Sequence, residues 1–104
     1  MTAACITIKG VHFRHIPSTV NNEPEIAGHL HPVAKIRLRG QSVRRKCFIS
    51  NKCRCIMPAF GAYTGGLNIL DNAFAPFFLG NDHAVRMLSA GKLYHIGRAS
   101  LVAD

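Results

Sequence analysis

A predominantly antiparallel β domain with one short helix is the fold this sequence predicts, and two hairpin patterns and one capped turn carry the prediction. Val33 to Arg39 alternates, with Ile36 and Leu38 set between Lys35, Arg37 and Arg39, and Val43 to Ser50 returns after the turn residues Gly40-Gln41-Ser42. Ala84 to Leu88 and Leu93 to Gly97 read as two short strands joined around Ser89-Ala90-Gly91-Lys92, which predicts a closing hairpin. Asp71 to Leu79 suits a short helix with Asp71 as N-cap, and Pro76 limits or kinks it.

The remaining segments fit around those pieces. Ile6 to Arg14 starts β-branched and alternates, so it reads as one strand bent at Gly10, and its end presents His15. Residues 17–24 have loop composition and no apolar period. Glu25 to Pro32 reads as a strand end running into a loop. After the central hairpin, Asn51-Lys52 turns the chain into Cys53 to Pro58, which extends an antiparallel meander. The glycine-rich stretch 58–67 matches no nucleotide-binding fingerprint, and close packing of backbone against a neighbouring strand or the metal site is its expected use. Gly80-Asn81-Asp82-His83 reads as a turn.

At 104 residues the chain is one domain, just large enough for an ordinary core, and its 48% hydrophobic content argues against disorder. Met1 to Cys5 has no basic region ahead of an apolar run, and the apolar stretch 56–79 is broken by Pro58, several glycines and Asp71. Neither a secretory signal nor a membrane span is expected, and the cytoplasm is the default location. Cys53 and Cys55 lack zinc-knuckle spacing. On a strand they share a face, which suits small buried hydrophobes better than thiolate metal ligands.

Chemistry concentrates first in Gly28-His29-Leu30-His31-Pro32. Two imidazoles two residues apart can share one centre or serve neighbouring ions. Gly28 leaves room for close backbone approach, and Pro32 biases His31 away from the helical region. His15, upstream in Phe13-Arg14-His15-Ile16-Pro17, also ends a β-type run and is also followed by a proline. Neutral imidazoles at His15, His29 and His31 on adjacent strand ends suit a divalent transition metal. Surface or hydrogen-bonded histidines are the plainer alternative. His12 reads as a packing or hydrogen-bonding residue, and His83 and His95 have no motif around them.

The second concentration is charge. The chain carries +8, and of its 13 Lys and Arg residues eight (Lys35, Arg37, Arg39, Arg44, Arg45, Lys46, Lys52 and Arg54) fall in one stretch, with no acid between Glu25 and Asp71. A solvated strand face would account for this. Clustered cations next to a metal motif also suit a nucleic-acid backbone, with Lys35, Arg37, Arg39, Arg44, Arg45 and Lys46 as candidate contacts. No helix-turn-helix, zinc finger or aromatic stacking run points to sequence-specific reading.

The motifs also carry a family resemblance. Gly28-His29-Leu30-His31 resembles the last metal-binding motif of the calcineurin-like metallophosphoesterases, and His15-Ile16-Pro17 the isolated histidine motif before it. With Arg45-Lys46-Cys47-Phe48 and Met57-Pro58-Ala59-Phe60-Gly61-Ala62-Tyr63-Thr64-Gly65-Gly66-Leu67, they are similar to the bacterial ligase-associated DNA-damage-response endonucleases over about residues 6 to 98. That resemblance implies an α/β family fold, a β-sandwich flanked by helices, of which residues 1–104 form the C-terminal half.

It also implies two-metal phosphodiester hydrolysis with Mn, or alternatively Fe or Zn. His15 and His29 would hold one ion and His31 would serve the other. The carboxylate motifs of the other half are absent, so the chain reads as a truncated phosphoesterase, inactive alone. Apolar surface that the other half would cover is expected to be exposed, and it can drive self-association. The implied partners are nucleic acid, a DNA ligase and a helicase-like protein. The alternative reading is a small basic nucleic-acid-binding or subunit-contact module without catalysis.

Overall fold

The computed structural model describes residues 5–18, 24–60, 65–78 and 83–104. Residues 19–23, 61–64 and 79–82, where parts of the expected loop, glycine-rich stretch and turn fall, lie outside them. Strands β1 (Cys5–Ile8), β2 (Val11–Arg14), β3 (Glu25–Ala27), β4 (Pro32–Leu38), β5 (Gln41–Ser50), β6 (Arg54–Ile56), β7 (Leu67–Asn68), β8 (Ala84–Ser89) and β9 (Lys92–Ile96) join into one curled mixed sheet.

Three X-Gly turns set the hairpins. Lys9-Gly10, Arg39-Gly40 and Ala90-Gly91 each combine φ of 51–52° with φ of 76–84°. Paired positive φ marks the two-residue turn whose twist matches the flanking strands. Ile6 to Arg14 is therefore two antiparallel strands, not one bent strand. A lysine ahead of the glycine, in place of the favoured Asn or Asp, hid the turn.

The antiparallel meander holds for β4–β5–β6 and β5–β8–β9. Elsewhere the sheet is mixed, because β3 runs parallel to both β2 and β6, and β7 runs parallel to β4. The long strand β5 is the hinge of the curl. Its first part pairs with β4, and its last residues pair with β6 and β8.

Register divides the sheet's faces. Arg14, Ala27, Ile56, Ile49, Val85 and Ile96 form one row across six strands. Side chains opposite one another share a face, so this row, with Cys47 and Met87, is the core side. Ala34, Ile69, Phe74 and Phe78 close over it.

The expected helix is a single 3₁₀ turn, Asn72–Phe74. The cap is present, the Asp71 side chain accepting from Ala73 N–H at 2.9 Å. Pro76 has no N–H to bond the Asn72 carbonyl, which instead accepts from Ala75 at 3.1 Å in the tighter pattern. The chain then returns along β4. Leu101 bridges Ile36, and Val102 N–H donates to the Lys35 carbonyl at 2.8 Å.

Candidate functional site

The parallel pairing of β2 with β3 places their C-terminal ends side by side, and His15 and His29 follow those ends. Gly28 N–H donates to the carbonyls of Arg14 (3.3 Å) and His15 (3.1 Å), fastening one strand end to the other. The His15 and His29 rings then meet edge to face with centroids 5.2 Å apart. Both side chains are exposed. In open α/β sheets, ligands bind outside the carboxyl ends of parallel strands.

The backbone here is unusual. Leu30 N–H donates to the Gly28 carbonyl at 3.0 Å, closing a three-residue turn over His29, whose φ is 79°. That is the rarer and more strained γ-turn form. His31 follows at φ 52°. That φ lies outside the right-handed helical region, as expected before Pro32, and Leu67 N–H donates to the His31 carbonyl at 2.9 Å. Non-glycine residues held at positive φ gather where a side chain must be aimed, and the surrounding structure supports the cost.

Gly66 is part of that support. At φ 146°, a Cβ on it would stand 2.3 Å from Val33 Cγ2 and 2.9 Å from the His31 carbonyl oxygen. Close backbone packing is thus the use of this end of the glycine-rich stretch.

Among the described residues no three His, Cys, Asp or Glu side chains come together to hold a metal ion. Two of the expected ligands, His15 and His29, are brought together. His31 lies nearby along the chain, half-buried, and does not complete a three-ligand set with them. His83 packs against Phe78 at 5.6 Å, and His95 stands on β9 away from this edge.

One feature of the site was invisible to motif reading. Glu25, with a side chain 0% exposed, takes Arg14 Nη1 at 2.8 Å on Oε1, and Arg54 Nε stands 2.8 Å from Oε2. The Arg54 contact is one of charge, since Oε2 has no aligned hydrogen-bond donor among the described residues. Ser18 N–H adds a bond to Oε1 at 3.2 Å. Arg54 also donates to the Phe77 carbonyl at 3.2 Å and lies over the Phe77 ring at 5.3 Å. The triad fixes Arg14, the residue immediately before His15. Its signal in the sequence was a carboxylate at a core-facing strand position, two residues before Ala27.

The cationic stretch is divided by the pleat. Register places Lys35, Arg37, Arg44 and Lys46 on one face of the β4–β5 hairpin, and Arg45, opposite Ala34, on the other. Arg39 sits in the turn, and Arg54 belongs to the buried triad. Arg44 is also engaged, with Nη2 donating to the Gly66 carbonyl at 2.7 Å and Nε to Asp104 Oδ1 at 3.2 Å. The hydrogen bonds from Arg44 and Asn68 hold the Asp104 carboxyl below its usual range. The six cations therefore do not form one surface. Lys35, Arg37 and Lys46 share a face with an arginine already bound to a carboxylate.

Cys53 and Cys55, expected as small buried hydrophobes, are half-exposed, and Cys47 is the buried thiol. Cys47 is in the core, which pushes its thiol up to about 12. Cys55 is raised by burial against the opposing pull of Arg86. Cys47, Cys53 and Cys55 are free thiols.

No family model matches the chain, and no curated protein matches it. Among solved structures, it is similar to the crystal structure of the Pseudomonas putida nuclease MPE, with a TM-score of 0.61 and 24% identity. The chain shares the fold of part of that nuclease. The match takes in 88% of this chain and 40% of that one, so this chain spans less than half of the nuclease's length. Among the described residues, no helix is long and apolar enough to cross a membrane.

Proposed function

We propose that this chain is the histidine-bearing part of a divalent-metal-dependent phosphodiesterase acting on nucleic acid, a C-terminal portion of a metallophosphoesterase domain. The observation that carries the reading is the juxtaposition of His15 and His29 at 5.2 Å, on the C-terminal ends of parallel strands, with His29 held at positive φ. The similarity to a nuclease supports it.

When bound, a divalent ion polarises the phosphate and lowers the pKa of a water that attacks it. His15 and His29 would supply imidazole donors for one ion, and His31 would serve a second. Glu25 and Arg14 hold the strand end beneath His15. Lys35, Arg37 and Lys46 offer charge to a phosphate backbone. Two imidazoles are too few donors for a firm site, so hydrolysis depends on carboxylates from outside the described residues. Mn is the ion proposed, with Fe or Zn as alternatives. The family resemblance adds a setting in cytoplasmic DNA repair beside a DNA ligase and a helicase-like protein.

The test is titration of the purified chain with Mn²⁺ and Zn²⁺ by calorimetry, paired with hydrolysis of bis-p-nitrophenyl phosphate. Weak binding that falls at least tenfold in both His15→Ala and His29→Ala, and is kept in His95→Ala, is the expected result. Metal binding indifferent to His15 and His29 would sink the proposal. A second reading, a nucleic-acid-binding module without catalysis, is favoured by the shared face of Lys35, Arg37 and Lys46. It predicts salt-dependent DNA binding unchanged in His29→Ala.

A further inference from the structure

The cationic face of the β4–β5 hairpin holds an anion of the chain's own. Asp104 Oδ1 accepts from Arg44 Nε at 3.2 Å and from Asn68 Nδ2 at 3.3 Å. Lys35 stands opposite Arg44 in register, so it shares that face. The two hydrogen bonds are the main cause that holds the Asp104 carboxyl below its ordinary value, and the charges of Arg44 and Lys35 add to them.

The groups that hold this carboxylate are themselves fixed. Asn68 is 5% exposed, its Nδ2 also donating to the Val102 carbonyl at 2.9 Å and its Oδ1 accepting from Leu70 N–H at 2.9 Å. Arg44 Nη2 donates to the Gly66 carbonyl at 2.7 Å, which sets the guanidinium plane with Nε toward the carboxylate. The segment that carries Asp104 is anchored where Leu101 bridges Ile36 and Val102 N–H meets the Lys35 carbonyl at 2.8 Å. The Asp104 side chain itself is 54% exposed, and an ion pair so exposed contributes little stability. The donors are thus rigid and their occupant is exchangeable.

We propose that Arg44 Nε, Asn68 Nδ2 and Lys35 form a phosphate seat, and that Asp104 occupies it as an intramolecular competitor which a phosphodiester of bound nucleic acid displaces. Guanidinium, amide N–H and ammonium are all donors, a set that takes an oxyanion. A lone phosphodiester carries the same charge as the carboxylate, so exchange at the seat by itself gains little. Neighbouring phosphates of a polyanion decide it, because Arg37 and Lys46 lie on the same face and release counterions as they pair. Asp104 therefore makes the face discriminate a polymer from a single phosphate. The inference rests on the nucleic-acid reading of this face and adds to it the seat, its occupant and Asn68 as a contact.

Two measurements on the full chain test the seat and the nucleic acid separately. The first titrates inorganic phosphate while NMR follows the side-chain N–H signals of Arg44 and Asn68. In Asp104→Asn these signals should move, with half-saturation at least fivefold lower than in wild type. Equal responses in the two proteins overturn the competition, and no response in either overturns the seat. The second measures affinity for a short DNA duplex across salt concentrations. Asp104→Asn should bind about threefold tighter with a salt slope steeper by about 1, and the gain should vanish in an Arg44→Gln background. Circular dichroism checks that the Arg44→Gln chains fold. A gain of equal size in that background reports charge acting at a distance and overturns the proposal. A phosphate response without duplex binding in wild type or Asp104→Asn keeps the seat, but overturns displacement by nucleic acid together with the reading beneath it.

Discussion

The histidine edge and the cationic hairpin respond to folding in opposite ways. His15 and His29 lie far apart along the chain, yet parallel pairing of β2 and β3 sets their rings 5.2 Å apart. Arg44 and Arg45 are neighbours along the chain, yet the pleat sends them to opposite faces, and Asp104 and the Gly66 carbonyl engage the first of them. Proximity in sequence is thus a poor guide to a shared surface on a strand, whose side chains alternate. Proximity of strand ends is a good one, because it is set by backbone pairing.

The largest test of that contrast is Glu25→Ala. It leaves Arg14 and Arg54 without their carboxylate in a buried setting, a loss of about 3–5 kcal/mol in urea unfolding. Arg37→Ala on the exposed hairpin, by comparison, should stay within ~0.5 kcal/mol. Equal effects would mean that the triad does not underpin the histidine edge.

Gly66→Ala comes next. The new methyl meets Val33 and the His31 carbonyl at a positive φ, so a loss of about 1–3 kcal/mol is expected, together with changed NMR shifts at His31. Unchanged His31 shifts would separate the Gly66 contact from the histidine loop.

Charge reversal sharpens the hairpin side. Arg37→Glu and Lys46→Glu should each weaken duplex DNA binding and lower the salt slope by about 1, while Arg45→Glu, on the other face, does so less. Equal slopes for all three would restore the single-surface reading.

The thiols give a readout that leaves the fold intact. At pH 8, Cys47, pushed up to about 12 and buried, should resist iodoacetamide while the half-exposed Cys53 reacts, as peptide mapping would show.

The smallest effect belongs to Asp104→Asn. The carboxyl is held below its ordinary value, so its contribution is full above that value and is lost as pH falls through the lower folded one. The difference between wild type and variant should therefore vanish in strong acid and be small at pH 7, because the pair is exposed.

Much of the architecture was legible from local pattern. Alternation marked β4, the return after a glycine turn marked β5, short runs either side of Ser89-Ala90-Gly91-Lys92 marked β8 and β9, the Asp71 cap was readable, and His15 and His29 were recognisable as strand-end residues. The turn at Lys9-Gly10 escaped because the residue before its glycine was atypical, and the helix shrank because Pro76 removes the bond it needed. The Glu25 triad escaped because three charges distant along the chain become meaningful only in register.

By itself the sequence determined which segments extend, where two hairpins reverse, and that imidazoles and cations concentrate in two regions, since each follows from side-chain period and turn chemistry. Tertiary structure alone decided that β2, β3 and β6 run parallel, that His15 meets His29 without His31 closing the set, and which cations share a face. The physical reason is that strand partner, direction and register are chosen by non-local backbone hydrogen bonds and by burial of a common core, and neither leaves a periodic trace in the chain.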